Sequence, residues 1–343
     1  MEKSESIQNL KEEHSLEKIK DILSKFKDIK TLIIGEAIID EYHFTASKGR
    51  ATKDPILSVD YINHEVYAGG ILAIANHVSN FVNDVTVVTL IGDREDRKDF
   101  IMNSLNKNIT PKLFVKENSP TIMKRRYLDI IRSTKLFKVE HINDTPISET
   151  LEKEIVNFLA QELTKYDLVI VGDFGHGFIT EKIIKVLEDK SNFLAVNVQC
   201  NSANLGYNFV TKYNRPNFLT MDIHELWYAV SDRFSKVPVL MDKLHKKKNF
   251  NKFLVTMSKD GSAYFDNGKQ TFSPAFITNP KDTVGAGDAV FSITSLFAYT
   301  GNSHIIPFIA NCAGGIAVSY MGNKEFITKE KLLEFIMQVY NGI

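Results

Sequence analysis

Thr31-Leu32-Ile33-Ile34-Gly35 decides how the rest of the chain is read. Four consecutive apolar or β-branched residues followed by a glycine form the pattern of a short strand buried on both faces, ending at a functional sheet edge. The pattern returns at Val85 to Ile91 (VTVVTLI) before Gly92 and at Leu168 to Val171 (LVIV) before Gly172. Phe193 to Val198 (FLAVNV) ends at the polar Gln199, and Phe253 to Met257 (FLVTM) ends at Ser258. Between these runs, apolar residues at helical spacing predict helices over 71–81, 148–165, 180–189 and 222–230. Strands alternating with helices predict βαβ units in a mostly parallel sheet with helices on both faces, and ligands at the carboxyl ends of its strands.

Working outward, Leu16, Ile19, Ile22, Leu23 and Phe26 fall at three-and-four spacing and predict an amphipathic leader helix over 15–30. The polar stretch ahead of it is expected to fray and carries no assigned function. Two segments, 41–68 and 112–143, break the alternation with period-two stretches, such as Ile56, Ser58 and Asp60 against Leu57, Val59 and Tyr61. They predict extra strands building a small sheet beside the main one, as a lid. No repeat or Pro/Gly-rich linker divides the chain, so residues 31–343 are expected to form one domain behind a leader of residues 1–30.

With 343 residues, 43% hydrophobic and 24% charged, the composition is that of a soluble globular protein with a large core. Lys plus Arg (42) balances Asp plus Glu (42), so no net field draws the chain to nucleic acid or an anionic membrane, and no basic-aromatic platform is present. Two cysteines, Cys200 and Cys312, make neither a disulfide framework nor a four-ligand zinc site, and packing is their simplest role. No apolar leader or run of about 18 apolar residues occurs, which predicts a cytoplasmic protein.

The chemistry concentrates in Asp282-Thr283-Val284-Gly285-Ala286-Gly287-Asp288, which runs into the apolar helix AVFSITSLFAY. Small residues let the backbone turn tightly and present N–H groups at a helix N-terminus, a seat for phosphate. Asp288, closing the loop, is placed to take a proton from an attacking hydroxyl. A plain helix cap by Asp282 or Thr283 is the alternative for a bare GxG, but the full seven-residue pattern outweighs it. In Lys124-Arg125-Arg126, a strand would turn Lys124 and Arg126 to one face, where two cations could meet a substrate phosphate; a solvated basic edge strand is the other reading.

These residues resemble the D-T-x-G-A-G-D signature of the ribokinase/PfkB carbohydrate kinases, and the likeness extends from Thr31 to the C-terminal helix. The resemblance implies a ribokinase-like three-layer α/β/α domain with a β lid, and transfer of the γ-phosphoryl group of ATP, with Mg²⁺, to a sugar hydroxyl. It implies Asp288 as base and Gly285, Ala286 and Gly287 as the anion hole, with Asp282 and Thr283 on the nucleotide side. Within the family the pattern is closest to the kinases of D-glycero-D-manno-heptose 7-phosphate. Gly35-Glu36-Ala37-Ile38-Ile39-Asp40 matches their G-D-x-x-x-D turn, Pro120 to Arg126 their P-T-x-x-K-x-R strand, and Asp173 to Gly177, more loosely, their D-Y-x-K-G turn. Asp40, Lys124, Arg126 and Asp173 would then hold the acceptor, with the di-glycine Gly69-Gly70 and Asn76 beside it. Thr256, Ser258 and Gly261 resemble the T-x-G-x-x-G segment bordering the nucleotide, and Asn311 falls where the family approaches the adenine. The likeness also brings in a homodimer through the lid, a monovalent cation such as K⁺, and a separate nucleotidyltransferase partner, since no such domain follows before Ile343.

Several family positions differ. Ala73 or Ile74 replaces an asparagine, with Asn76 one turn further on; Asn197-Val198-Gln199 stands for D-P-K near the nucleotide; and Asn217-Phe218-Leu219-Thr220 stands for N-x-x-E without its glutamate, for which Asp222 or Glu225 could substitute, so that the resemblance still puts Asn197 and Asn217 on the nucleotide side. These departures keep a second reading open, a sugar- or nucleotide-binding protein on the same scaffold with weakened catalysis. Other classes lack their motifs: there is no P-loop, no G-x-G-x-x-G after the first strand and no H-E-x-x-H. His43, His64, His77, His141, His176 and His224 stand singly along the chain, and no metal-binding residue is assigned.

Overall fold

The computed structural model describes residues 11–12, 14–201, 204–277 and 279–342. Helix α1 (Leu16–Ser24) leads into β1 (Lys30–Gly35), and β2 (Ala37–Arg50) and β3 (Leu57–Gly70) follow as a long hairpin. The chain continues through α2 (Ile71–Ser79), β4 (Asp84–Arg94), α3 (Lys98–Ser104), β5 (Ile109–Pro120), β6 (Ile122–Asp129) and β7 (Thr134–His141). Next come α4 (Glu149–Glu162), β8 (Leu168–Asp173), α5 (Glu181–Lys190), β9 (Leu194–Val198), β10 (Phe218–Asp222), α6 (Ile223–Val230) and α7 (Val237–Lys248). The last part holds β11 (Lys252–Thr256), β12 (Ser262–Asp266), β13 (Lys269–Ser273), α8 (Ala286–Tyr299), α9 (Ile306–Ala317) and α10 (Lys329–Asn341).

The main sheet has the order β13-β12-β11-β10-β9-β8-β1-β4-β5. From β5 to β11 every neighbouring pair is parallel, and β12 and β13 add an antiparallel edge. Alternate side chains of β1 feed two separate cores: Leu32 and Ile34 pack with α4, α5, α6 and α7, whereas Ile33 packs with α1, α2, α8, α9 and α10. This two-sided burial gives β1 its unbroken apolar run, and it makes the domain three layers. Strand order reverses at β1, which lies between β8 and β4, with Gly35 and Gly172 side by side at their carboxyl ends. Such a switch point opens a crevice for ligands.

The second sheet has the order β3-β2-β6-β7, with β2 and β6 parallel and both outer pairs antiparallel. It contains the strands expected from 41–68 and from the later part of 112–143. The earlier part of that second segment belongs elsewhere: β5 pairs in parallel with β4 as the edge of the main sheet. Its mixed exposure, characteristic of an edge strand, imitates the period-two pattern of a lid strand. The leader helix ends at Ser24, and its Ile19, Ile22 and Leu23 are buried in the main core. The polar stretch expected to fray falls largely outside the described residues. Among the described residues, no helix is long and apolar enough to cross a membrane.

Candidate active site

The Asp282–Asp288 loop is built by its backbone. Gly285 caps α8 with φ +82, and a Cβ there would lie 2.1 Å from Asn323 Oδ1, so this position requires glycine. Ala286 turns its N–H back to Thr283 O at 3.3 Å, whereas Gly287 faces open space. Asp288 follows in the first turn, beside helix amides that have no partner within the helix.

Two cavities meet here. The first, about 260 Å³, is lined by Asp40, Gly70, Lys124, Arg126, Thr283 and Asp288 among others. The second, about 160 Å³, is lined by Asn197, Cys200, Thr220, Asp222, Glu225 and Thr256. Gln199 and Gly287 line both. Gln199 Nε2 donates to Asp288 Oδ1 at 2.8 Å. Burial and the nearby Asp40 carboxylate push Asp288 up to about 7, against the opposing pull of Lys124 and the Gln199 hydrogen bond. A carboxyl group titrating near neutrality is suited to proton transfer.

On the small sheet, β2 and β6 register Asp40 beside Lys124, on one face with Tyr42 and Arg126. Arg126 pairs with Asp40, and its guanidinium lies 5.4 Å from the centre of the Tyr42 ring. Lys124 Nζ is 4.0 Å from Glu140, and burial lowers its pKa. Arg125 turns to the opposite face and bonds Glu41 at 2.6 Å. Gly69 packs against this pair: a Cβ there would stand 2.1 Å from Asp40 Oδ2. The histidines that stand singly in sequence are partly gathered by the fold, since His43 and His64 face each other across β2 and β3 with ring centres 5.2 Å apart. Among the described residues no group of three His, Cys, Asp or Glu side chains could hold a metal ion.

Other expected site residues have partners inside the protein. Asn76 lies buried in α2, bonding Ser104 O at 2.9 Å and the Asn106 N–H at 2.9 Å, and lines neither cavity. Asp173 is held by Lys212 at 2.6 Å and Tyr213 at 3.0 Å. Asp282 accepts from Tyr42, Lys135 and the Gly322 N–H, which makes it a tie between loop and small sheet. Asn217 precedes β10 and bonds Leu194 at 2.8 Å, at the end of the sheet opposite the cavities. Asn311 bonds Ser273 O at 2.9 Å, joining α9 to β13. Ser258 and Gly261 form the turn between β11 and β12, beyond Thr256, and neither lines a cavity.

Asn197 does line the second cavity: its Nδ2 bonds Thr220, and its Oδ1 is buried without a hydrogen-bond partner. Gln199, on the wall shared by the two cavities, enters the sequence analysis only as a departure from the family pattern. Asp222 and Glu225 form a capping box at the start of α6, with Glu225 N bonding Asp222 at 2.8 Å and Asp222 N bonding Glu225 at 2.7 Å. Their D-x-x-E spacing before an apolar run is the signature of this cap, and both candidates for the missing glutamate line the second cavity.

A doubly wound sheet, a glycine loop opening a helix at its switch point, and a carboxyl group between a cavity that presents Lys124 and Arg126 and a second cavity define a phosphotransferase scaffold that acts on a hydroxyl acceptor. The chain belongs to the pfkB family of carbohydrate kinases, whose pattern it matches over residues 28–328. It is 26% identical over 331 residues to the bifunctional protein HldE of Shewanella piezotolerans, covering 94% of this chain and 67% of that protein. It is 28% identical over 316 residues to the bifunctional protein HldE of Aliarcobacter butzleri, covering 88% and 63%. The chain thus spans about two-thirds or slightly less of the length of these curated relatives. Among solved structures it is similar to phosphofructokinase-2 from Escherichia coli in complex with potassium, with a TM-score of 0.71 at 11% identity over 91% of this chain and 99% of that one. At that identity the likeness concerns the fold.

Proposed function

We propose that the protein transfers the γ-phosphoryl group of ATP to a hydroxyl of a sugar phosphate, with an acceptor resembling heptose 7-phosphate. The observation that carries this reading is the placement of Asp288 in the first turn of α8, on the wall of a cavity that also presents Lys124 and Arg126. The acceptor would lie in the first cavity, its existing phosphate against Lys124 and Arg126 and its reacting hydroxyl toward Asp288. The nucleotide would enter from the second cavity and bring its phosphates to the Gly285–Gly287 turn. Lacking a ready-made cluster of metal ligands among its described residues, the site suits a Mg²⁺ carried on the nucleotide phosphates and waters, where it offsets their charge.

The small sheet would act as a lid, since Asp40, Lys124 and Arg126 all stand on it. Its outer face exposes Tyr61, Phe137 and Val139, which supports a homodimer formed through the lid. The curated relatives are bifunctional proteins of greater length, which supports a second activity acting with this domain, and a separate nucleotidyltransferase is our proposal for it. The potassium complex of the structural neighbour supports a test of K⁺ dependence.

The test is ADP release from Mg·ATP against a panel of sugars and sugar phosphates, with Asp288→Asn beside the wild type. Release that requires one phosphorylated acceptor and falls about 10²–10⁴-fold in the variant is expected. Release that survives in Asp288→Asn overturns the mechanism; binding of ATP or sugar with no turnover for any acceptor favours a binding protein.

A further inference from the structure

We infer that Gln199 is the positioning residue for Asp288, holding one carboxylate oxygen so that the other faces the acceptor. This rests on the kinase reading above and adds a role to a residue that appears in the sequence only as a departure. Gln199 lies just past the carboxyl end of β9, on the wall shared by the two cavities. Its Nε2 donates to Asp288 Oδ1 at 2.8 Å, and among the described residues no donor reaches Oδ2. A carboxylate anchored at one oxygen has lost most of its rotational freedom, and its second oxygen is left for a proton.

Gln199 is itself fixed. Its N–H donates to Asp173 O at 2.9 Å, and its carbonyl accepts from Asn208 Nδ2 at 3.1 Å and Asn204 Nδ2 at 3.3 Å. Asn208 also reaches Asp173 O at 3.3 Å, and the Asp173 carboxylate is locked by Lys212 and Tyr213. Asp173, expected on the substrate, thus serves at one remove, because it fixes the backbone that carries Gln199. Asp40 on β2, Lys124 and Arg126 on β6, and Glu225 at the start of α6, which burial pushes up to about 8, are the charged and titratable groups facing Asp288 or its field; Asp222 and Cys200 line the adjoining cavity. The Gln199 amide does not titrate, so it orients the carboxylate without holding it ionised as strongly as a cation would.

The test uses the full chain with Gln199→Met, which keeps length but removes the donor, and Gln199→Lys, which restores a donor and adds charge. Each is followed by steady-state kinetics across pH and by ¹³C-carboxyl NMR titration of labelled aspartate, the Asp288 signal being assigned by its loss in Asp288→Asn. In Gln199→Met, kcat falls about 10- to 100-fold with KM for ATP and acceptor unchanged, and Asp288 titrates at higher pH. In Gln199→Lys, kcat partly recovers and Asp288 titrates about one unit or more below wild type. Unchanged kcat and an unmoved Asp288 titration in Gln199→Met overturn the inference, as does a loss confined to KM. If the wild type turns over no acceptor while the two titrations still move in opposite directions, the kinase reading fails and the positioning of Asp288 by Gln199 stands.

Discussion

Tyr42 donates its phenolic hydrogen to Asp282 Oδ2 at 3.0 Å, joining the second strand of the chain to the first residue of the Asp282–Asp288 loop. Lys135 on β7 reaches Oδ1 of the same carboxylate at 2.5 Å, and the Gly322 N–H approaches Oδ2 at 3.1 Å. The small sheet and the loop are therefore coupled through one buried carboxylate; burial pushes its pKa up, and Lys135, the Val284 N–H at 3.2 Å and Tyr42 together bring it below the ordinary value. Tyr42→Phe removes a hydrogen bond to a charged group and is expected to cost about 2 kcal/mol in chemical denaturation. Amide exchange should accelerate both in β2 and around residues 282–288. Acceleration in β2 alone would show that loop and sheet are independent.

The pH dependence of Asp288 has a definite sign. Its carboxyl titrates near 7 in the folded protein against 3.8 in the reference state. In the proposed role of base it works ionised, so kcat should fall about tenfold per unit as pH drops below 7. For stability the direction is opposite. The folded state binds the proton more tightly than the unfolded chain, so the contribution is fully present below pH 3.8 and is lost as pH rises through 7. Asp288→Asn, which carries no charge at any pH, should therefore raise Tm relative to wild type at pH 8 and much less at pH 4. Equal differences at both pH values would remove the buried-carboxylate account.

Gly285 and Gly287 should answer differently to the same substitution. Gly285→Ala meets Asn323 at 2.1 Å from a backbone with φ +82, so it is expected to destabilise the fold and displace the loop. Gly287→Ala meets nothing within 4 Å and gains up to about 1 kcal/mol of helix propensity, yet its methyl group enters the space between the two cavities. Thermal unfolding should show a loss for the first and none for the second, while ADP release falls in both. Full activity in Gly287→Ala would place the transferred phosphate elsewhere.

Much of this architecture was legible in the sequence because buried parallel strands leave unbroken apolar runs, and the runs at Thr31, Val85, Leu168, Phe193 and Phe253 all lie in main-sheet strands. β5 was misplaced because an edge strand half-exposed to solvent reads like a lid strand. The Asp282–Asp288 loop was legible through its seven-residue pattern, in which Gly285 is dictated by backbone geometry that no other residue meets, whereas Gly287 keeps the space between the cavities open. Asp40 and Lys124 were reached through the family resemblance, but the contact of Gln199 with Asp288 was not legible, since it joins the end of β9 to the start of α8, elements far apart in the chain. Asn76 and Asn217 were misread for the complementary reason: an asparagine that satisfies backbone groups looks the same in sequence as one that binds a ligand.

Lys124 and Arg126 face the same cavity, but only one can be removed cleanly. Arg126→Ala would leave Asp40, 4% exposed, as a buried charge without its partner, a change that typically costs about 3–5 kcal/mol and would blur any kinetic effect. Lys124 is different: Glu140, its partner at 4.0 Å, keeps Lys138 at 2.8 Å when Lys124 is lost, and burial already disfavours the Lys124 charge. Lys124→Met should therefore fold with wild-type stability and raise KM for a phosphorylated acceptor about tenfold or more, leaving KM for ATP and for an unphosphorylated sugar unchanged. Because Lys124 also favours ionised Asp288, the acidic limb of the pH–rate profile should move to higher pH. A rise in KM equal for phosphorylated and unphosphorylated acceptors would mean that Lys124 meets a sugar hydroxyl, and the phosphate would then have to be sought against Arg126 alone.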